Sequence, residues 1–225
     1  MNFNRNEIKL GGTIWQPSAD EISNTMGLWG ASLEDALKYG GNLTRSAIGA
    51  MNLKFDKKYI VVDTKIHMLM PNFSPAIVGW HTDGVPRGTA LNPQSKGNPN
   101  IQAQETLDDT RFHLLVTGEG CLTQFVKGNN ISLEVPDVPD TSLYKSIDSQ
   151  VKAGIATGEL EAYDVPSCTA VEFDWWDLHT GTIATKHEWR YLIRVTESDI
   201  MPPQKDLRKI IRTQQNIYLP HNFGW

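Results

Sequence analysis

The sequence predicts one domain with a predominantly β core and helical decoration, and three observations carry that reading. β-Branched residues concentrate in 59–69, YIVVDTKIHML, and further strand-like texture appears in 167–173 and 188–196. Residues 111–126, RFHLLVTGEGCLTQFV, read as a hairpin turning at Gly118-Glu119-Gly120. Helix-start signals fall almost entirely in the first fifty residues, so helices come first and most strands follow.

In chain order, Ser18 with Glu21 three positions later suits a helix N-cap, and Ser32 opens a short pattern that ends at Gly40-Gly41. A third short helix is expected from Asn42 onward, within 42–53. Segment 1–58 is therefore helical N-terminal decoration, 59–196 the β core and 197–225 a C-terminal extension of a single domain spanning 1–225. Two long insertions interrupt the core. The first, 84–109, is polar and rich in Gly, Pro and Asn, and suits a lid. The second, 127–164, carries Leu143, Ile147, Val151 and Ile155 on one four-residue stripe, which predicts a helix capped by Asp140 or Thr141. After Pro202-Pro203, Lys205, Arg208, Lys209 and Arg212 fall at spacings compatible with one basic helix face.

Composition narrows the class. The 225 residues are 40% hydrophobic and 21% charged, far from a disordered chain. No window approaches a membrane helix, and the opening MNFNRNEIKLGG lacks an apolar signal-peptide segment, so a cytoplasmic protein without membrane attachment is expected. Cys121 and Cys168 are too few for a disulfide framework and read as reduced and structural. A net charge of −5 argues against broad adhesion to nucleic-acid backbones.

Chemistry concentrates at His81-Thr82-Asp83. In extended backbone residues i and i+2 point the same way, so an imidazole and a carboxylate converge as a two-ligand metal bite. His179, in the loop after 167–173, is the third ligand candidate, since a sheet partner can return it beside the first pair. Two histidines and one carboxylate on one face leave the opposite metal positions open for other ligands. Eleven residues beyond His179, Arg190 lies on the 188–196 strand, where Arg190, Leu192, Arg194 and Thr196 share one face. A guanidinium on an apolar β face is costly unless paired; a dicarboxylate ligand or an internal Asp or Glu would pair it. His67 and His113, in strands, read as packed or solvent-facing side chains rather than ligands. Trp80, Trp175 and Trp176 suit either a pocket wall or the core.

The order His81-x-Asp83, His179, Arg190 resembles the HxD…H…R pattern of the Fe(II)- and 2-oxoglutarate-dependent dioxygenases, and Trp80-His81-Thr82-Asp83 is similar to the WHxD of the phytanoyl-CoA dioxygenase branch. The resemblance covers about 59–196. It implies a double-stranded β-helix, or jelly roll, in which His81, Asp83 and His179 bind Fe(II) and are the catalytic residues. It further implies that Arg190 grips the far carboxylate of the co-substrate 2-oxoglutarate. O2 would then hydroxylate a substrate C–H bond with release of succinate and CO2. Arg194, Trp80 and Trp176 are candidate substrate contacts. Halogenases of this superfamily usually replace the acidic ligand, whereas Asp83 is present.

Two other readings stay open at this point: a cupin-like metal enzyme that does not use 2-oxoglutarate and would not need Arg190, and a non-catalytic jelly-roll binding module. A small molecule is the leading substrate class given the acidic balance, with a nucleobase or a protein side chain as alternatives. Substrate identity, oligomeric state and the choice between hydroxylation, desaturation and cyclisation have no local code in the sequence.

Overall fold

The computed structural model describes residues 1–76, 78–88, 96–107, 110–212 and 217. Strand outweighs helix. The first third contains β1 (Asn2–Phe3), β2 (Lys9–Thr13), α1 (Ala19–Ser23), β3 (Gly27–Leu28), β4 (Ala31–Ser32), α2 (Leu33–Tyr39), α3 (Gly41–Gly49) and β5 (Tyr59–Leu69). Next come α4 (Ile101–Gln104), β6 (Arg111–Val116), β7 (Thr123–Val126), β8 (Ile131–Ser132), α5 (Leu143–Thr157) and β9 (Ala162–Asp164). The chain continues through β10 (Thr169–Asp174), β11 (His179–Gly181), β12 (Glu188–Ser198), α6 (Leu207–Ile210) and β13 (Ile211–Arg212).

An antiparallel six-stranded sheet, ordered β2-β10-β6-β12-β5-β4, forms the spine, and an antiparallel three-stranded sheet, β11-β7-β9, faces it. β1 pairs with β8, and β3 with β13. The longest ladder joins β12 to β5 without a break, from Glu188 opposite Leu69 to Ser198 opposite Tyr59. Both faces of this ladder are covered, one by the smaller sheet and α5, the other by the N-terminal helices.

One sheet face packs Phe112, Leu114, Val171 and Phe173 against Phe125 of β7 and against Leu143, Ile147 and Val151 of α5. The Phe125 ring meets Phe173 edge-on at 5.0 Å, which fastens the two sheets together. The other face packs Val62, Leu115, Tyr191, Ile193 and Val195 against Ala36, Leu43, Ala47 and Ile48 of α2 and α3. Each fully buried side chain of this kind contributes about 1.5–3 kcal/mol relative to exposure. Period-two alternation along β12 therefore divides as expected: Tyr191, Ile193 and Val195 face the helices, and Arg190, Leu192 and Arg194 face the smaller sheet.

The N-terminal helices follow their caps. Ser18 and Ser32 accept the backbone N–H groups of Glu21 and Asp35, each at 3.1 Å. α5 starts at Leu143 as its stripe predicts, but its N-cap is Ser142 rather than Asp140 or Thr141, with Asp140 accepting the Ser142 N–H at 2.6 Å; the helix stops at Gly158, whose φ of +79° is the left-handed cap.

Three further expectations change. Segment 1–58 is not only helical: β2 forms the outer strand of the large sheet. Its fully exposed KLGGT run lacks the alternation that marks a strand, and Gly11 and Gly12 are there because the Ala50 backbone comes within about 3 Å of where a Cβ would stand. Residues 111–126 are not a hairpin, since β6 lies between β10 and β12 while β7 belongs to the other sheet. The Glu188 carboxylate accepts the Gly120 N–H at 2.7 Å and sits where a side chain at Gly118 (φ +88°) would go, so this turn carries the chain across from one sheet to the other. The basic C-terminal stretch is one turn of helix and a short strand rather than a helix face, and Arg208 pairs with its own cap, Asp206. Parts of the first insertion (89–95, 108–109) and of the C-terminal extension (213–216, 218–225) lie outside the described residues. Among the described residues no helix is long and apolar enough to cross a membrane.

Candidate metal centre

His81, Asp83 and His179 come together. One ligand atom from each lies within 4.8 Å of the others, and among the described residues this is the group of His, Cys, Asp and Glu side chains that could hold a metal ion. Backbone pairing brings them there: His81 and His179 exchange two N–H···O bonds, at 3.0 and 2.9 Å, in an isolated antiparallel bridge. This bridge supplies the sheet return that the separation of the motifs in sequence requires.

Both imidazoles are oriented by the carbonyl two residues before them. His81 Nδ1 lies 2.7 Å from the Gly79 oxygen, and His179 Nδ1 lies 3.0 Å from the Asp177 oxygen. A carbonyl only accepts, so Nδ1 carries the proton in each ring and Nε2 keeps its lone pair. The two Nε2 atoms stand 3.9 and 3.8 Å from the oxygens of Asp83. Burial, followed by the charge of His81, lowers His179 to about 4, so it is neutral and available as a ligand at physiological pH.

Burial alone would raise the Asp83 carboxyl, yet Arg194 and the two histidines outweigh it and hold the group well below the usual carboxylate range. Arg194 Nη1 donates to Asp83 Oδ2 at 2.6 Å, and Nη2 donates to Asp63 Oδ2 at 3.3 Å. The structural pairing open to Arg194 is thus the one observed. Its guanidinium also lies 5.6 Å from the centre of the Phe112 ring.

Arg190 is 1% exposed, yet no salt bridge reaches it among the described residues. Nε donates to the Cys121 carbonyl at 2.8 Å, and the buried Nη1 has no hydrogen-bond partner. Burial lowers its pKa, and the charges of Cys121 and Glu188 oppose that shift only in part.

Three neighbours of the site were not singled out from sequence. Lys65 stands opposite Leu192 on β5, hence on the face of Arg190 and Arg194, and its side chain makes no hydrogen bond or ion pair among the described residues; burial and the two arginines lower its pKa. Its signal was a lone lysine in an apolar run, in phase with those arginines. Asp148 of α5 accepts the Trp80 N–H at 2.9 Å and so braces the backbone leading into His81. Tyr144, one helical turn before Asp148, is buried and lies within electrostatic reach of Arg87 and Asp83; burial chiefly pushes its phenol up to about 12. Both are acid or phenol groups on the buried stripe of the helix, visible only once its packing face is known.

Trp80 and Trp176 are both buried in the core shared by the two sheets. Trp176 is covered by Phe3, edge-on at 6.0 Å, and by the Arg5 guanidinium, 3.5 Å from its ring centre. His67 and His113 take the packed rather than the solvent-facing alternative, since both are buried, and His113 Nε2 lies 2.9 Å from Glu197.

The fold and the site together define a mainly β protein of antiparallel sheets with a His-Asp-His group able to hold a metal ion. No protein-family model matches the chain, and no curated protein matches it.

Proposed function

We propose that the protein is an Fe(II)- and 2-oxoglutarate-dependent oxygenase built on a jelly-roll core, hydroxylating a C–H bond of a small-molecule substrate. The observation that carries this reading is Arg190: a buried guanidinium with an unpartnered Nη1, on the same sheet face as a two-histidine, one-carboxylate group. The donor chemistry fits iron, since three ligands of this type on one side leave coordination positions open. The order His81-x-Asp83, His179, Arg190 and the pairing of two antiparallel sheets support the same superfamily.

In this reading His81, Asp83 and His179 hold Fe(II), which supplies the chemistry of dioxygen and of co-substrate decarboxylation. The chain's own residues do the rest. Gly79 and Asp177 keep both Nε2 lone pairs directed at the metal, and Arg194 keeps Asp83 ionised and oriented. Arg190 takes the distal carboxylate of 2-oxoglutarate bidentately, with Lys65 adding positive charge along the same wall. Phe112, Phe125 and Phe173 keep this side of the metal group dry. A cupin-like enzyme that does not use 2-oxoglutarate would share the three ligands but would leave a buried, uncompensated arginine without a purpose.

The direct test is co-substrate turnover. Iron-loaded protein supplied with 2-oxoglutarate and air should form succinate slowly without a primary substrate, and Asp83→Ala should form none. Full succinate formation by Asp83→Ala would refute the assignment.

A further inference from the structure

The N-terminal arm reaches the metal group from outside the two main sheets. Phe3, fully buried, seats the arm against Trp176, and the backbone turns at the next residue, Asn4. Its φ of +49° lies in the left-handed region, which asparagine tolerates better than most residues. Asn4 N–H donates to the Trp176 carbonyl at 3.0 Å, and the Asn4 carbonyl accepts the Asn130 N–H at 2.9 Å. The buried side chain is used as fully: Oδ1 accepts the Leu178 N–H at 2.9 Å, and Nδ2 donates to the carbonyls of Val126 and Gly128 at 2.7 and 3.1 Å. An amide N–H only donates and a carbonyl only accepts, so these partners fix which way the carboxamide faces.

The carboxamide stands in for a rung of the ladder beside a metal ligand. His179 of β11 is opposite Phe125 of β7, so Leu178 and Val126 are the next pair in the antiparallel register. One bond of that pair is direct, from Val126 N–H to the Leu178 carbonyl at 3.0 Å. A regular hydrogen-bonded pair would exchange the second bond too. Here it is relayed: Asn4 takes the Leu178 N–H on one side and gives an N–H to the Val126 carbonyl on the other. β11 accordingly begins at His179. His179 is already tied to His81 through the backbone bridge and to the Asp177 carbonyl through Nδ1. Asn4 sets the direction of the remaining approach, the peptide that joins Leu178 to His179.

We propose that Asn4 is a positioning residue of the metal centre: its carboxamide, inserted between Leu178 and Val126, sets the backbone from which His179 presents Nε2. The N-terminal arm and the metal ion then stabilise one another, since coupling between two sites is reciprocal. This assignment deepens the oxygenase reading and rests on its ligand set of His81, Asp83 and His179, not on the co-substrate.

Co(II), whose visible absorption reports coordination geometry, is the probe, titrated into the full chain. Asn4→Gly removes the side chain and suits the left-handed backbone. It should bind Co(II) about five- to twentyfold more weakly than wild type, with an altered spectrum at saturation. Asn6→Ala removes an exposed bond from the same arm to Asp174 and should stay within about twofold, with the wild-type spectrum. The reciprocal effect is read on the wild type: Co(II) should slow amide hydrogen exchange in residues 2–6 more than in α3, which packs on the other face of the large sheet. An unchanged affinity and spectrum in Asn4→Gly, an equal loss in Asn6→Ala, or exchange in the arm that ignores Co(II) would each overturn the proposal. Should Asn4→Gly fail to fold, the exchange measurement decides alone. No Co(II) binding by wild type refutes the metal centre and this proposal together. Co(II) binding without an iron–2-oxoglutarate chelate band refutes only the oxygenase reading, and the comparison of wild type with Asn4→Gly still decides the role of Asn4.

Discussion

Arg194 Nη1 donates to Asp83 Oδ2 at 2.6 Å, joining the middle of β12 to the carboxylate of the metal group. The bond crosses from the six-stranded sheet to the loop that follows His81, so the ladder between β12 and β5 sets where Asp83 points. Arg194→Ala removes that support while leaving the three ligand residues. Its Fe(II) affinity should fall about ten- to a hundredfold, the usual effect of losing a ligand's hydrogen-bond partner. Equilibrium dialysis with Fe(II) under nitrogen measures this, and an unchanged affinity would mean that Asp83 needs no orienting partner.

Arg190→Ala should act on the co-substrate and not on the metal. The apparent Michaelis constant for 2-oxoglutarate in succinate formation should rise by about tenfold or more, since a charge-assisted bidentate pair is lost. Fe(II) affinity should stay within a factor of about two. An unchanged Michaelis constant would transfer the role to another cation of the same face, Lys65 first.

Asp148→Ala should leave the buried Trp80 N–H without its acceptor, at a cost of about 1–3 kcal/mol, and should loosen His81 next to it. Asp148→Asn keeps a carbonyl oxygen in place and should recover most of both effects. Urea unfolding and Fe(II) dialysis read them separately. Lowered stability with normal iron binding would restrict Asp148 to a structural role.

Glu197 gives the fold an acid limit. It is buried, taking the Lys54 and Phe55 N–H groups at 3.0 and 2.8 Å, with Arg111 at 3.1 Å and His113 at 2.9 Å. Burial alone would raise its pKa, but these partners, His113 first, bring it down from 4.5 to about 2. A carboxylate depressed in the folded state stabilises fully above its unfolded value, and that contribution is lost as pH falls through the window from 4.5 to about 2. Glu197→Gln should be less stable at neutral pH and should lose less stability than wild type across that window. Parallel stability curves for the two proteins would contradict this.

Some of this was legible from sequence because it depends on local period and residue type. The alternation of Arg190, Leu192 and Arg194 against Tyr191, Ile193 and Val195 fixed the two faces of β12, and the stripe of Leu143, Ile147 and Val151 fixed the buried side of α5. His81 and Asp83 could be paired because extended backbone puts i and i+2 on one side. What escaped depends on contacts distant in the chain. Glycines replaced the alternating side chains in β2, so edge pairing with β10 left no pattern to read. The turn at Gly118–Gly120 looked like a hairpin because its real partner, the Glu188 carboxylate, lies far along the chain. Lys65, Asp148 and Tyr144 acquire meaning only from the strand register and the helix face opposite them.

The central claim is that His81, Asp83 and His179 hold iron beside a co-substrate gripped by Arg190. Anaerobic titration of the metal-free protein with Fe(II), then with 2-oxoglutarate, followed by visible absorption, tests it most directly. The expected result is a saturable charge-transfer band that needs both additions, disappears in His179→Ala and requires more 2-oxoglutarate in Arg190→Ala. Iron binding without the band would contradict the 2-oxoglutarate assignment, and no iron binding at all would contradict the metal centre itself.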